Sequence, residues 1–330
     1  MPKKLPTTLL LPHLALLASA LIWAVAAPVI KLTLSDVPVF TFLLYRFTLV
    51  GLILLPYMFI ELRRNPIHKK DFPNFIILGI ASQVSIALIF LGLNFTTAID
   101  TAIIGVLAPV LTFLAGRYFY EEKITKIETL GIVLATAGTL FIVLEPILGK
   151  LGILEAGEVS VVDPAKRVLG NFFVLLYQLS WPVYIILGKN MMGETSREIT
   201  GAFKFLRMKK MSKKYSSTII TAFSFYVGLA FFIPMAVVEG SRPGFHINLT
   251  ITSITGILYM VALSSIAAYG LYQWGMKYLE AQETALYFYL TAVLTIPAAY
   301  FLLGEIPTKT MIAGSLVIAA GVIIAEKFKS

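Results

Sequence analysis

Seven residues place polar or aromatic chemistry inside long apolar runs: Trp23, Arg46, Gln83, Gln178, Trp181, Tyr269 and Tyr287. An unpaired polar group is costly in hydrocarbon, so residues of this kind face a cavity or a partner. Helical spacing puts Tyr177, Gln178, Trp181 and Tyr184 on one broad face, and Ser265, Tyr269 and Tyr272 on one stripe. Gln83 lies between Ser82 and Ser85 in another such run. Aromatic walls with a few amide and hydroxyl groups suit the binding of an amphipathic small molecule. The competing reading for tyrosine and tryptophan is an interfacial belt, which fits Tyr57, Tyr118 and Tyr120 better than Tyr177 or Trp181. Arg46 is the one basic residue well inside a run. It either meets a carboxylate or phosphate of a ligand, or pairs with a protein carboxylate or helix end.

The same inventory argues against covalent chemistry. Cysteine is absent, which removes thiol nucleophiles, thiolate metal sites and disulfides. His13, His68 and His246 are far apart and show no metal-ligand spacing. With no paired central carboxylates and no Ser–His constellation, the reading is of a non-enzyme without a cofactor.

Composition dictates the elements that must position these side chains. The chain of 330 residues is 58% hydrophobic and 14% charged, whereas soluble domains carry roughly 25% charged residues. Charge-poor stretches at 14–34, 37–60, 72–95, 98–120, 124–145, 168–189, 215–238, 250–276, 281–304 and 307–325 each approach the ~20 residues a helix needs to cross the bilayer. The expected fold is an all-α membrane protein of ten transmembrane helices. Its basic residues lie between the apolar runs, so the net charge of +9 concerns orientation and lipid headgroups rather than nucleic acid.

Internal duplication organises the ten segments. Gly92 to Gly138 overlays Gly275 to Gly321 without a gap at an offset of 183, matching Thr101/Thr284, Glu122/Glu305, Lys126/Lys309 and Gly131/Gly314. Trp23 and Lys31 have the same spacing as Trp181 and Lys189. The first repeat is therefore 1–146, the second 168–330, with 147–167 as an external connection. With the N-terminus inside, twenty of the 27 Lys and Arg fall in inner tails and loops, which makes both termini cytoplasmic. Five helices per repeat is odd, so the repeats must be inverted relative to each other. The basic loop near 190–214 reads as an anchor on anionic lipid headgroups. Glu122 and Glu305 read as helix N-terminal caps, with ion coupling as the alternative. The Gly131/Gly138 and Gly314/Gly321 pairs read as close helix packing, with a homodimer contact secondary.

These residues resemble the EamA-like branch of the drug/metabolite transporter superfamily. The resemblance rests on Trp23 with Lys31, Trp181 with Lys189, Arg46-Phe47, and the stretches from Glu122 to Gly138 and from Glu305 to Gly321. It covers most of the chain outside 145–167 and 190–214, although Arg46-Phe47 has no counterpart in the seventh segment. It implies a secondary carrier of small metabolites, such as amino acids or similar amphipathic solutes, that works by alternating access, with export as the direction and the cell membrane as the location. Small multidrug resistance proteins, distant relatives by resemblance, carry a carboxylate in helix one. This chain has Ser19 and Trp23 there, which favours facilitated transport. A nucleotide-sugar or lipid-linked translocator of the same fold remains the alternative, and a non-transporting scaffold or receptor is the reading from another class.

Overall fold

A computed structural model describes residues 6–107, 111, 125–151, 162–192, 211–276, 278 and 281–327. Among these every regular element is a helix. The helices are α1 (Pro6–Leu34), α2 (Val39–Arg64), α3 (Phe72–Phe95), α4 (Ala98–Gly105), α5 (Lys126–Lys150), α6 (Pro164–Met192), α7 (Ser217–Gly240), α8 (Ile251–Leu258, Tyr259–Ala267 and Ala268–Met276), α9 (Ala281–Leu303) and α10 (Lys309–Lys327).

Their boundaries follow local chemistry. Pro38 and Pro73 mark the starts of α2 and α3, where a missing backbone N–H costs nothing. Thr97, Ser216 and Thr250 cap α4, α7 and α8 by accepting a hydrogen bond from the amide three residues on. Each such cap stabilises its helix by about 1 kcal/mol. Gly304, at φ +68°, ends α9. Its left-handed backbone turns the chain so that Glu305 emerges beneath a different helix, α4.

Among the described residues six helices are long and apolar enough to cross a membrane: Leu10–Leu34, Val39–Arg64, Phe72–Phe95, Thr129–Gly149, Thr218–Gly240 and Ile251–Gly275. This is fewer than the ten spans expected from the sequence. Much of the fourth expected span, 98–120, lies outside the described residues. In α9 and α10 the described apolar runs are shorter, Leu290–Leu303 and Lys309–Gly321. Large apolar side chains such as Leu52, Val237, Phe301 and Leu316 are exposed on the outer faces, as a hydrocarbon solvent permits.

The helices pair in a regular way: α1 with α8 and α9, α2 with α7, α3 with α6 and α7, and α5 with α10. The α5–α10 crossing depends on small residues. A Cβ on Gly321 would stand 2.5 Å from the Ala135 amide nitrogen and 2.6 Å from the Gly131 carbonyl, so the two backbones touch there. The larger apolar core, built on Phe42, Phe47, Phe90 and Phe232, packs around α2, α3 and α7. A second core, with Phe75, Tyr184 and Tyr215, sits where α2 ends and α3 begins.

Candidate functional site

Arg46 is the natural starting point because a charge among apolar helices needs an explanation. Its side chain is 5% exposed. Nε donates to Ser265 Oγ at 2.9 Å, and the guanidinium lies 5.4 Å and 5.7 Å from the ring centres of Phe47 and Phe90. Tyr177 of α6 and Tyr269 of α8 are close enough to interact with it electrostatically. Among the described residues no carboxylate lies within ion-pair distance of Arg46.

Local backbone geometry makes this contact. The middle of α8, Tyr259–Ala267, is wound as a π-helix. In that wide turn Ser265 Oγ–H donates five residues back to the Met260 carbonyl at 2.7 Å while its oxygen accepts from Arg46. The neighbouring Ser264 carbonyl accepts from Trp23 Nε1 at 3.3 Å. Wide turns of this kind recur at functional sites because they release backbone groups from the helix.

Trp23 then joins an aromatic cluster. Its ring centre is 5.3 Å from Tyr269, 5.2 Å from Tyr272 and 6.2 Å from Phe288, the last stacked at 11°. Tyr269 also meets Phe225 edge-on at 6.2 Å. Trp23, Arg46 and Tyr269 thus come together where α1, α2, α7, α8 and α9 converge, with Tyr177 of α6 adjoining. Trp181 extends the wall through Tyr177 at 5.9 Å and Tyr184 at 5.1 Å.

Three further candidates make contacts between helices. Gln83 is fully buried and donates to the Ser224 carbonyl at 2.9 Å. Its amide presses so closely on α7 that a Cβ on Gly228 would stand 2.4 Å from Oε1. Gln178 is buried, and a Cβ on Gly105 of α4 would stand 3.5 Å from its Nε2. Tyr287 shares a 2.8 Å hydrogen bond with His13 Nδ1, which joins α9 to α1.

A charged cluster that the sequence reading left out lies where α3 ends and α4, α6 and α10 begin. Arg167 donates from Nε and Nη2 to the two carboxylate oxygens of Asp100 at 2.6 and 2.9 Å. Glu145 Oε2 lies 2.7 Å from the same Nη2, off the N–H direction, as an ion pair. Thr96 Oγ1–H is placed between Asp100 and Asn171, and Lys31 donates to the Thr96 carbonyl. Asp100 is fully buried, and Arg167 and Glu145 nearly so. Asp100 did leave a signal, as a lone acid three residues into an apolar run.

Glu305 completes this end of the molecule, but it does not cap its own helix. Its two oxygens accept from the Ala98 and Ile99 amides at 3.1 and 3.0 Å and so cap α4. Burial raises its pKa above the ordinary glutamate value, against the opposing pull of those amides and Lys31. Glu239 caps α2 in the same manner through the Phe40 and Thr41 amides. Glu122, Glu305's counterpart in the repeat, lies outside the described residues. A small crevice lined by Thr97, Arg167, Glu305 and Thr308 among others opens beside this cluster.

At the opposite end, Asp71 ties the α2–α3 connection to the segment preceding α7. It accepts from the Ser212 amide at 2.8 Å and from the Tyr215 hydroxyl at 2.7 Å. Burial pushes its carboxyl up, but these hydrogen bonds outweigh it and hold the pKa below the usual aspartate value.

The profile of the EamA-like transporter family matches residues 10–144 and 198–326. The chain belongs to this family. It is a multi-pass integral membrane protein of the EamA-like transporters, as its apolar helices require. An uncharacterized transporter of Archaeoglobus fulgidus is 26% identical over 94% of this chain and 95% of its own length. A protein of Escherichia coli K12 named "Probable amino-acid metabolite efflux pump" is 24% identical over 94% of this chain and 93% of its own. A crystal structure at 16% identity superposes with a TM-score of 0.57 over 96% of this chain and 97% of that one, which establishes likeness of fold.

Proposed function

We propose that this EamA-like transporter exports small amphipathic metabolites, amino acids or their derivatives, by alternating access between two inverted five-helix repeats with both termini cytoplasmic. The observation that carries this reading is that Tyr269 of the second repeat links two groups of the first, neighbouring Arg46 on one side and packing on Trp23 on the other, with Ser265 and Tyr177 at Arg46 and Phe288 at Trp23. Helix pairing supports the inverted arrangement. Exchanging α1–α5 with α6–α10 turns the α3–α6 contact into α8–α1 and the α1–α9 contact into α6–α4, and all four occur. The α2–α7 and α5–α10 pairs map onto themselves.

Alternating access needs bonds between the repeats that can be made and broken at each end. Arg167 with Asp100 and Glu145 supplies such a contact at one end, and Asp71 with Ser212 and Tyr215 at the other. Export agrees with the name of the Escherichia coli relative. Among the described residues the cation in this aromatic cluster is Arg46, and a single arginine offers little to the diphosphate of a nucleotide sugar.

The test is solute counterflow by the purified protein in liposomes, using a labelled panel of amino acids and their derivatives. Saturable exchange that is lost on Trp23→Ala supports the reading. Exchange no faster than in empty liposomes overturns it.

A further inference from the structure

Among the described residues Arg46 and Arg167 are the buried arginines, and they differ in what the fold provides for them. Arg167 is given two carboxylates within 2.9 Å. Arg46 is buried to the same degree, yet its described hydrogen bonding consists of Nε to one serine hydroxyl. Phe47 and Phe90 turn ring faces toward it, which eases a cation's burial without neutralising it. A buried guanidinium without countercharge is costly, and its planar fork fits a carboxylate through the Nη groups once Nε is held. Ser265 does hold Nε, so the fork has a fixed direction.

The surroundings limit what else the ligand can carry. Every Asp and Glu with a described side chain lies in a connection or within two turns of a helix end. An ammonium group beside Arg46 would therefore find no acidic partner among the described residues and would meet a like charge. The Trp23, Tyr269, Tyr272 and Phe288 rings adjoin the guanidinium through Tyr269, and they offer apolar and edge-on aromatic contact.

We propose that the solute is a small organic anion, a carboxylate on an apolar or aromatic body whose amine is absent or masked, with Arg46 binding the carboxylate. This rests on the reading of the chain as a solute carrier, and it narrows amino-acid-like solutes to those without a free ammonium. Arg46 then sets specificity by charge, and the aromatic cluster takes the body.

The experiment uses matched triplets that share one body: an acid, the corresponding zwitterionic amino acid and the corresponding amine, with phenyl, indolyl and branched aliphatic bodies. Counterflow into liposomes and shift of the unfolding temperature are measured with the purified full chain. Acids should exchange and stabilise, amino acids should do so more weakly, and amines not at all. Arg46→Gln should lower acid exchange about ten- to hundredfold, the loss of a charge-assisted contact, and Arg46→Lys should restore part of it. Preference for the amine or the zwitterion in the wild-type protein would overturn the proposal, whether or not the variants fold. So would unchanged acid selectivity in a folded Arg46→Gln. Saturable exchange of neutral or zwitterionic solutes alone would sink this inference and leave the carrier reading standing, whereas exchange of no solute of any charge would sink both.

Discussion

Replacing Asp100 by Asn removes one charge from the buried Arg167 cluster while keeping the side chain's shape. Asp100 is wholly buried, and it receives two hydrogen bonds from Arg167 and one from Thr96. Removing one partner of a buried ion pair costs about 3–5 kcal/mol, because the other charge stays buried without compensation. Here Glu145 remains 2.7 Å from Nη2, so Arg167 is not orphaned and the loss falls at the low end, about 3 kcal/mol. Glu145→Gln should cost less, since the two-point contact with Asp100 survives it. Removing both acids should cost more than the two single losses together. Replacing the triad by Asp100→Leu, Glu145→Leu and Arg167→Met should recover most of the stability, since an apolar triad needs no desolvation of charge. Equilibrium unfolding in mixed detergent micelles measures each value. A change for Asp100→Asn within about 0.5 kcal/mol of wild type would refute the reasoning, because that is the behaviour of a solvated surface pair.

Asp71 has a lowered folded pKa, so its stabilising contribution is present above the unfolded value of 3.8 and is lost as pH falls through the folded value. The stability difference between wild type and Asp71→Asn should accordingly shrink in unfolding curves taken toward low pH. Glu305 has a raised folded pKa, so its contribution is fullest below the unfolded value of 4.5 and falls as pH rises through the folded one. Glu305→Gln should therefore flatten the loss of stability with rising pH in the same assay. Gly321→Ala should destabilise by about 1–3 kcal/mol, because its Cβ meets backbone on α5 that cannot move aside, and a neutral result in thermal unfolding would show that the helices can part. Trp181→Ala should lower counterflow while expression and unfolding temperature stay near wild type. A core tryptophan would instead lose roughly 3–5 kcal/mol of stability.

Several parts of this account were legible in the sequence for simple physical reasons. The starts of α2 and α3 announce themselves through Pro38 and Pro73, which are local signals that need no tertiary context. Arg46 stands out as a lone charge in an apolar run, and Gly321 through its place in the duplicated stretch. The rest depends on which elements meet. The π-turn that sets Ser264 and Ser265 on Trp23 and Arg46 has no composition of its own. Glu305 carries the chemistry of a cap, but which helix it caps is a tertiary fact fixed by the turn at Gly304. Arg167 and Glu145 sit at segment edges, where charges are ordinary, so their pairing was invisible. Gln83 shows the converse. A buried amide signals that something must satisfy it, without telling a ligand from the Ser224 carbonyl that accepts its hydrogen bond.

The chain has no cysteine, so a single one can report on the chamber from either side of the membrane. The measurement is labelling of Tyr177→Cys, which adjoins Arg46, by a membrane-impermeant thiol reagent added to right-side-out or to inverted vesicles. Alternating access between the repeats predicts labelling from both sides, with a solute that exchanges in liposomes slowing both. Labelling from neither side, or from one side alone under every solute condition, would contradict it.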